Sequence, residues 1–267
     1  MDRGWKGDSA LTDDPGTDAS RSLVEENPLI DGSVAYRLDD GIATLHLDDG
    51  KANALSHRTL DAFDDALDRA EADAVRALLV IGREGRFSAG FDLAVMRQGP
   101  EAAVDLATKG ARLAYRIYAW PTPTVFAVTG HALAMGAFIL LAADERLGAT
   151  GPFKIGLNEV SIGMAVPEWG WKMAEARLSR RHYHRACVNA EIYTPEGAVG
   201  AGFLDRVAPP ESLIELATER ARILAETVEA RAFRATKLAV RGALLEEISG
   251  ALGGRDLALS RRPRTSS

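Results

Sequence analysis

The sequence predicts an α/β protein in which strands pair mainly in parallel and helices cover the sheet. Two apolar runs, 77–81 and 125–128, are short and rich in β-branched residues, which is typical of strands buried on both faces. Each run leads through a turn of small residues into a helical pattern of apolar residues. Repeated strand–turn–helix units of this kind favour a parallel α/β architecture.

The elements around the first run have clear local signals. Alternating residues in 34–38 and the apolar run 42–47, joined by Asp39-Asp40-Gly41, predict a β-hairpin. Ser56 has the side chain of a helix N-cap, and the residues after it place Leu60, Phe63 and Leu67 on one face. A further helix is expected over about 101–118.

The elements after the second run are mainly helical. Ile139, Leu140 and Leu141 belong to the helix that follows the second turn. Ser212 to Glu215, after Pro209-Pro210, has the spacing of a capping box and predicts a helix N-terminus there. Polar composition predicts mobile tails at 1–32 and 259–267, which leaves a body at 33–207 and a helical region at 208–258.

Composition excludes several classes of partner. The net charge of −6 argues against nucleic acid as a main partner, because phosphate binding needs a basic surface. Cys187 is the only cysteine, which excludes an intramolecular disulfide and favours a reducing, cytoplasmic location. The apolar stretch 123–143 approaches the length of a membrane span, but Gly130 and Gly136 interrupt it. We expect a buried strand and helix there, and no membrane partner.

The two small-residue turns are the first candidates for chemistry. Their sequences are Phe87-Ser88-Ala89-Gly90-Phe91-Asp92-Leu93 and Gly130-His131-Ala132-Leu133-Ala134-Met135-Gly136-Ala137-Phe138. Turns that lead into helices leave backbone N–H groups free at the helix N-terminus. Two such turns that face each other can hold one anionic oxygen between two amides, so the sequence predicts an oxyanion hole.

A third segment, Ile155 to Gly163, contributes an acid. Glu159 lies between small and apolar residues, where burial raises the pKa of a carboxyl group and makes it a candidate general base or acid near neutral pH. The residues alone leave a structural alternative open, in which Glu159 caps a short helix or pairs with a lysine.

Taken together, these segments resemble those of the crotonase superfamily, the enoyl-CoA hydratases and isomerases. The resemblance covers about 34–237 and includes a fourth motif, Asp49-Gly50-Lys51-Ala52-Asn53-Ala54-Leu55, which is similar to the motif that lines the CoA site of the family. It implies a spiral of ββα turns, C-terminal helices that form a homotrimer or hexamer, and an acyl-CoA thioester substrate. Coenzyme A would be part of that substrate, with no other cofactor and no metal.

The resemblance also implies roles for individual residues. The amides of Phe91 and Met135 would hold the thioester oxygen, and Glu159 would be the catalytic acid or base. Substrate contacts are implied for Lys51, Ala52, Ala54, Ala89, Asp92, Leu93, Phe138 and Asn158. From its position after the first amide, Asp92 has an equally good interpretation as a helix-start residue.

Departures from the family pattern bear on the reaction. Hydratases carry two glutamates, and Phe138 takes the place of the first; Met135 takes the place of a glycine. Moving a double bond from the 3,4 to the 2,3 position needs only one carboxylate, and mitochondrial-type Δ3,Δ2-enoyl-CoA isomerases look similar at these places. The favoured hypothesis is an enoyl-CoA isomerase. The alternatives are an enoyl-CoA hydratase, with Glu159 alone or assisted by Glu168, and a non-catalytic acyl-CoA-binding protein.

Overall fold

A computed structural model describes residues 29–30 and 32–252 of the chain. Its strands are β1 (Leu29–Ile30), β2 (Val34–Asp39), β3 (Ile42–Leu47), β4 (Ala54–Leu55), β5 (Ala77–Gly82), β6 (Gly85–Ser88), β7 (Gly90–Phe91), β8 (Thr124–Val128), β9 (Gly130–Leu133), β10 (Glu145–Ala149), β11 (Ile155–Gly156) and β12 (Arg206–Ala208). Its α-helices are α1 (His57–Ala72), α2 (Leu93–Met96), α3 (Pro100–Tyr118), α4 (Met135–Ala142), α5 (Glu168–Arg177), α6 (Arg180–Cys187), α7 (Pro195–Ala201), α8 (Pro210–Thr227) and α9 (Ala230–Ala251), and a 3₁₀ helix spans Val160–Ile162.

Three sheets organise these strands. The main sheet has the order β1-β2-β3-β5-β8-β10-β12, and every pair from β3 onward is parallel. Beside it lie a three-stranded sheet, β11-β9-β6, and a two-stranded sheet, β4-β7, both parallel. This mixed architecture, with its parallel sheets and covering helices, confirms the predicted fold class.

Local signals placed the first elements correctly. Strands β2 and β3 form the predicted antiparallel hairpin, and Asp40 and Gly41 at its turn both have positive φ. Ser56 caps α1 by accepting a hydrogen bond from Thr59 N–H. All residues of β5 and β8 are buried, as expected for the central strands of a parallel sheet covered on both faces. The apolar stretch 123–143 contains β8, β9 and α4, and among the described helices none is long and apolar enough to cross a membrane.

The C-terminal helices differ from the prediction at one end. Helix α8 begins at Pro210, and Ser212 lies in its first turn, where its hydroxyl donates to Pro209 O at 3.2 Å. The predicted capping box is therefore wrong, because a proline at the first helical position starts the helix three residues earlier. The apolar face of α8, through Leu213, Ala217 and Ala221, covers one side of the main sheet.

The predicted tails fall almost entirely outside the described residues. Within 1–32, Leu29–Ile30 forms β1 and pairs with β2, so the segment predicted as a tail contains a short strand. Assembly of the C-terminal helices with other subunits stays a prediction.

Helix α9 is fastened to the core by buried charges. The Asp144 carboxylate accepts from Lys237 Nζ at 2.8 Å and from Arg241 Nη2 at 2.7 Å, and these two side chains are 4% and 9% exposed. Arg241 Nη1 also donates to Tyr118 O, and Arg177 Nη2 donates to Ala143 O at the end of α4. Arg177 is half-buried and is held against the end of α4 by this hydrogen bond. Asp144 is the acid that these cations surround.

We expect Asp144→Asn to destabilise the protein by about 3 kcal/mol, because removing one partner of a buried ion pair leaves the other charge uncompensated. Urea unfolding followed by circular dichroism measures this loss. The matched control is Glu226→Gln, which breaks an exposed pair with Arg222. Equal unfolding midpoints for the two variants would contradict the assigned role of Asp144.

Candidate active site

The three-stranded sheet brings together the three segments that the sequence singled out. Strands β6, β9 and β11 run parallel, and Ser88, Ala132 and Ile155 lie in one row across them. Phe91 lies three residues after Ser88, and Met135 lies three residues after Ala132. Glu159 lies four residues after Ile155. Because parallel strands end at the same edge of a sheet, all three segments emerge side by side, with Met135 in the middle.

The first two turns contact each other directly. A Cβ built on Gly90 would lie 2.9 Å from Ala134 Cβ and 3.3 Å from Met135 N. A Cβ built on Gly136 would lie 2.7 Å from Ser88 O. Both contacts are closer than a side chain allows, so glycine at these two positions lets the backbones of the turns touch.

The backbone is strained where the second turn meets α4. Ala134 has φ +50° and ψ −125°, a conformation that side chains disfavour and that costs about 1–3 kcal/mol. This conformation makes Met135 the first residue of α4. The N–H groups in the first turn of a helix have no partner within that helix, and the N–H of Met135 is one of them. The strain therefore falls on Ala134, and Met135 itself is without the positive φ that glycine would favour.

The amide of Phe91 points away from its own sheet. Asp92 N–H donates to Leu55 O on β4 at 3.1 Å. Successive N–H groups of a strand point to opposite edges, so the N–H of Phe91 faces away from β4. The two-stranded sheet has no strand on that side.

The loop before β4 is tied to the first turn. Asn53 is 2% exposed, and its amide donates to Leu47 O at 2.8 Å and to Phe87 O at 3.2 Å. Ser88 Oγ donates to Asn53 O at 2.8 Å. Asp49 holds the other end of the loop by accepting from the N–H groups of Asn53 and Ala54. The loop is thereby fixed beside the first oxyanion segment.

The residues that the family resemblance implies as substrate contacts in this region lie where the loop meets the first turn. Ala89 is exposed, and its N–H donates to the half-buried Ala52 at 3.1 Å. Lys51 is exposed, and its carbonyl accepts from Arg83 Nη1, while Ala54 is half-buried in β4.

Asp92 and Leu93 begin the short helix α2. The Asp92 side chain accepts from Ala94 N–H at 2.7 Å, which makes Asp92 the N-cap of that helix. Leu93 is 54% exposed, so an apolar side chain faces solvent beside the first turn.

Glu159 is a buried carboxyl group. It is 7% exposed, and its Oε2 has no hydrogen-bond partner among the described residues. Burial raises the pKa of Glu159 to about 7, and a hydrogen bond to its backbone opposes that shift only partly. Its backbone precedes the 3₁₀ helix, but its side chain caps nothing and its oxygens form no ion pair with a described lysine. This is the environment of a group that exchanges a proton near neutral pH.

Two further predicted residues are Asn158, next to this acid in the sequence, and Phe138 on α4. Asn158 is half-buried, and its Oδ1 also lacks a partner among the described residues. Phe138 is 1% exposed and packs against Trp169 with ring centroids 5.0 Å apart. The position where hydratases carry a glutamate is therefore filled by an apolar contact between α4 and α5.

The remaining acid and base candidates are occupied elsewhere. The Glu168 side chain is 61% exposed and pairs with Lys172 Nζ at 3.1 Å. His131 Nδ1 accepts from Lys154 N–H at 2.9 Å, and burial lowers the pKa of His131. Burial also raises the pKa of the Cys187 thiol to about 12, so Cys187 is an inert thiol near neutral pH. No group of three or more metal-ligating side chains occurs within the described ranges.

Sequence reasoning missed the structural roles of three residues that support this site. Asn53 and Asp49 fix the loop, and Ala134 carries the strain of the second turn. Asn53 also has a positive φ of 50°, which an Asn in a turn could have signalled. Nothing in the local sequence signals the strain at Ala134.

We expect Glu159→Gln to become progressively more stable than the unchanged protein as pH rises. A carboxyl group whose pKa is raised by folding contributes stability below its unfolded pKa and loses it as pH rises through its folded pKa. With a folded pKa of about 7, the loss spans roughly pH 4.5 to 7. The difference in unfolding free energy should grow by about 3 kcal/mol between pH 4.5 and 8.

Urea unfolding at several pH values measures that difference. The internal control is pH 4.5. At that pH neither Glu159 of the unchanged protein nor the glutamine of the variant carries a full charge, so the two proteins should have similar stability. A difference that stays constant with pH would show that Glu159 has an ordinary pKa.

Known proteins are similar to this chain in sequence and fold. The family described as enoyl-CoA hydratase/isomerase matches residues 37–251. The crystal structure of an enoyl-CoA hydratase/isomerase family protein from Pseudomonas syringae is 43% identical, with a TM-score of 0.80 over 88% of this chain and 96% of that one. A Mycobacterium tuberculosis structure described as an enoyl-CoA isomerase is 39% identical, with a TM-score of 0.79 over 84% of this chain and 97% of that one.

Curated relatives align over less of their length. A Bacillus subtilis protein named "Probable enoyl-CoA hydratase" is 34% identical over 135 residues, which is 49% of this chain and 52% of that protein. The match thus spans about half of that relative. Hydratase and isomerase names both occur among proteins similar to this chain, and the family match covers most of it. The chain belongs to the enoyl-CoA hydratase/isomerase family.

Proposed function

We propose that this protein is an enoyl-CoA isomerase that moves a double bond from the 3,4 to the 2,3 position of an acyl-CoA thioester. The observation that carries the proposal is the shared edge of β6, β9 and β11, where two outward-facing amides and one buried carboxyl group emerge together. Two amides and one base are the groups that enolate chemistry at a thioester needs.

The amides of Phe91 and Met135 hold the thioester oxygen. Polarising the carbonyl group acidifies the hydrogens on C2, and the negative charge of the resulting dienolate rests on the same oxygen. Donors that are fixed before the reaction stabilise this charge without reorganisation, and removing one such donor typically costs about 2.7–4 kcal/mol of barrier.

Glu159 moves the proton. Its carboxylate removes a proton from C2, the C2–H electrons shift toward the carbonyl oxygen, and the protonated Glu159 then delivers the proton to C4. The C4–H bond forms as the double bond settles between C2 and C3, and Glu159 returns to its carboxylate form. A pKa of about 7 suits both halves of this cycle, because the group neither holds nor releases the proton too strongly near neutral pH.

The surroundings of Glu159 favour isomerisation over hydration. Hydration needs a group that orients water, and the position of the second glutamate is Phe138, sealed against Trp169. Glu168 is exposed and pairs with Lys172, so it is poorly placed to assist. Exposed apolar side chains follow Phe91 and Glu159 in the sequence and offer a surface for the acyl chain. They are Leu93, Val160, Ile162 and Met164.

A substrate panel tests the reaction. The unchanged protein should convert 3-enoyl-CoA to 2-enoyl-CoA, and Glu159→Gln should lower that rate by roughly 10²- to 10⁴-fold, because the proton carrier is lost. Double-bond movement and water addition are followed separately by absorbance and mass spectrometry. The matched control is Glu168→Gln, an exposed acid nearby, which should keep the rate.

Other outcomes identify the alternatives. Rapid hydration of 2-enoyl-CoA with 3-enoyl-CoA left untouched would make the protein a hydratase. Binding of acyl-CoA without either reaction would make it a carrier. An active Glu159→Gln variant would remove Glu159 from the mechanism.

Phe138→Glu tests whether the side chain at position 138 disfavours hydration. The shorter acidic side chain opens space beside Trp169 and restores a second carboxyl group, so we expect slow hydration of 2-enoyl-CoA to appear. Phe138→Gln is the matched control, since it opens similar space without an acid and should stay inactive in hydration. Both variants are first checked for native circular dichroism. Hydration by both, or by neither when both are folded, would contradict the assigned place of Phe138.

A further inference from the structure

Gly110 lies in the middle of α3 at a position where glycine is costly. A glycine inside a helix destabilises it by about 1 kcal/mol relative to alanine. Gly110 is buried, and it faces the protein, not solvent. The cost therefore calls for a packing reason at this position.

The packing reason involves both oxyanion segments. A Cβ built on Gly110 would lie 2.6 Å from Phe91 Cε1 and 2.7 Å from Phe91 Cζ, distances that real Cβ atoms essentially never show. It would also lie 3.3 Å from Met135 Cε. One glycine thus contacts the side chains of the two residues whose amides are the proposed donors.

Helix α3 has little room to move away from an added methyl group, because Ala111, Leu113 and Ala114 pack into the core. Arg116 donates to Asp64 O at 3.0 Å and to Asp68 Oδ1 at 2.7 Å, both on α1. Lys109, next to Gly110, pairs with Asp61 on the same helix. The Phe91 ring must take up most of any displacement.

Displacing that ring acts on the Phe91 backbone. The ring lies against α3, while the backbone of the same residue is held by β4 on its other side, where Leu55 and Phe91 are in register. Met135 follows the strained Ala134, so its place also depends on packing. Phe91 is thus fixed on both sides, by its ring against α3 and by its backbone on β4.

We propose that Gly110 is a positioning residue that sets the separation between the Phe91 and Met135 amides. The proposal rests on the proposed function, since it takes these amides as the donors to the thioester oxygen. Gly110 itself touches neither substrate nor reacting atoms; it acts through the side chains that pack on it.

The test compares Gly110→Ala with Gly242→Ala in the full chain. A Cβ at Gly242, in the middle of α9, meets no described atom within 4 Å, so the same substitution is made there without a clash. We expect Gly110→Ala to lower kcat for 3-enoyl-CoA by about 10- to 100-fold while KM changes by less than about twofold, because misplaced donors lose transition-state stabilisation more than binding. Gly242→Ala should keep both constants.

A compensating substitution separates positioning from general damage. In a Phe91→Leu background the backbone amide is retained and the ring that clashes is gone. Adding Gly110→Ala there should lower kcat by less than about threefold, since coupled contacts are non-additive. An equal loss in both backgrounds, or a Gly110→Ala variant as active as Gly242→Ala, would overturn the proposal.

A spectroscopic readout is independent of the reaction. Bound cinnamoyl-CoA absorbs at longer wavelength as its carbonyl group becomes polarised by hydrogen-bond donors, and we expect a smaller red shift with Gly110→Ala than with the unchanged protein. If 3-enoyl-CoA is not isomerised but the red shifts differ, the proposed function fails and the role of Gly110 stands. If isomerisation occurs and the red shifts are equal, the role of Gly110 fails alone. Absence of any red shift in the unchanged protein would overturn the role of Gly110, because no polarising amide pair would exist.

Discussion

Parallel pairing of three short strands is the constraint on which the site depends. Ser88, Ala132 and Ile155 share one row of the β6-β9-β11 sheet, and each strand ends just beyond it. The segments that follow are therefore delivered to one edge, although the outermost two are about 70 positions apart in the sequence. A one-residue slip in this register would turn the backbone amides of a turn to the opposite side.

Close backbone contact then sets the chemistry within that edge. Gly90 lies against Ala134 and Met135, and Gly136 lies against Ser88, at distances that exclude side chains. The strain at Ala134 is tolerated because hydrogen bonds on both sides hold the turn: Ala134 N–H donates to Gly156 O, and Phe138 N–H donates to Ala134 O. Strained backbone of this kind is found where a fixed geometry serves function.

Buried charged groups of the protein lie in separate places. The buried cations of α9 surround Asp144 near the C-terminal end of α4, where a helix favours positive charge. The opposite end of α4 carries the Met135 amide. Glu159 lies apart from these cations, and its pKa is raised because burial removes the carboxylate from water. A single carboxyl group near its pKa, beside outward-facing amides, is consistent with the proton shuttle proposed for this protein.

The sequence by itself determined the fold class, the main helices and central strands, and the three segments of the site, because apolar periodicity, caps and small-residue turns are local signals. It also identified the family, since four motifs occurred in order. Local signals failed at Ser212, where a proline started the helix earlier. Only the tertiary structure decided that β6, β9 and β11 form their own sheet, that Asn53 fixes the loop, and that Gly110 packs on Phe91. These features depend on contacts between residues far apart in the chain, and no local pattern encodes such contacts.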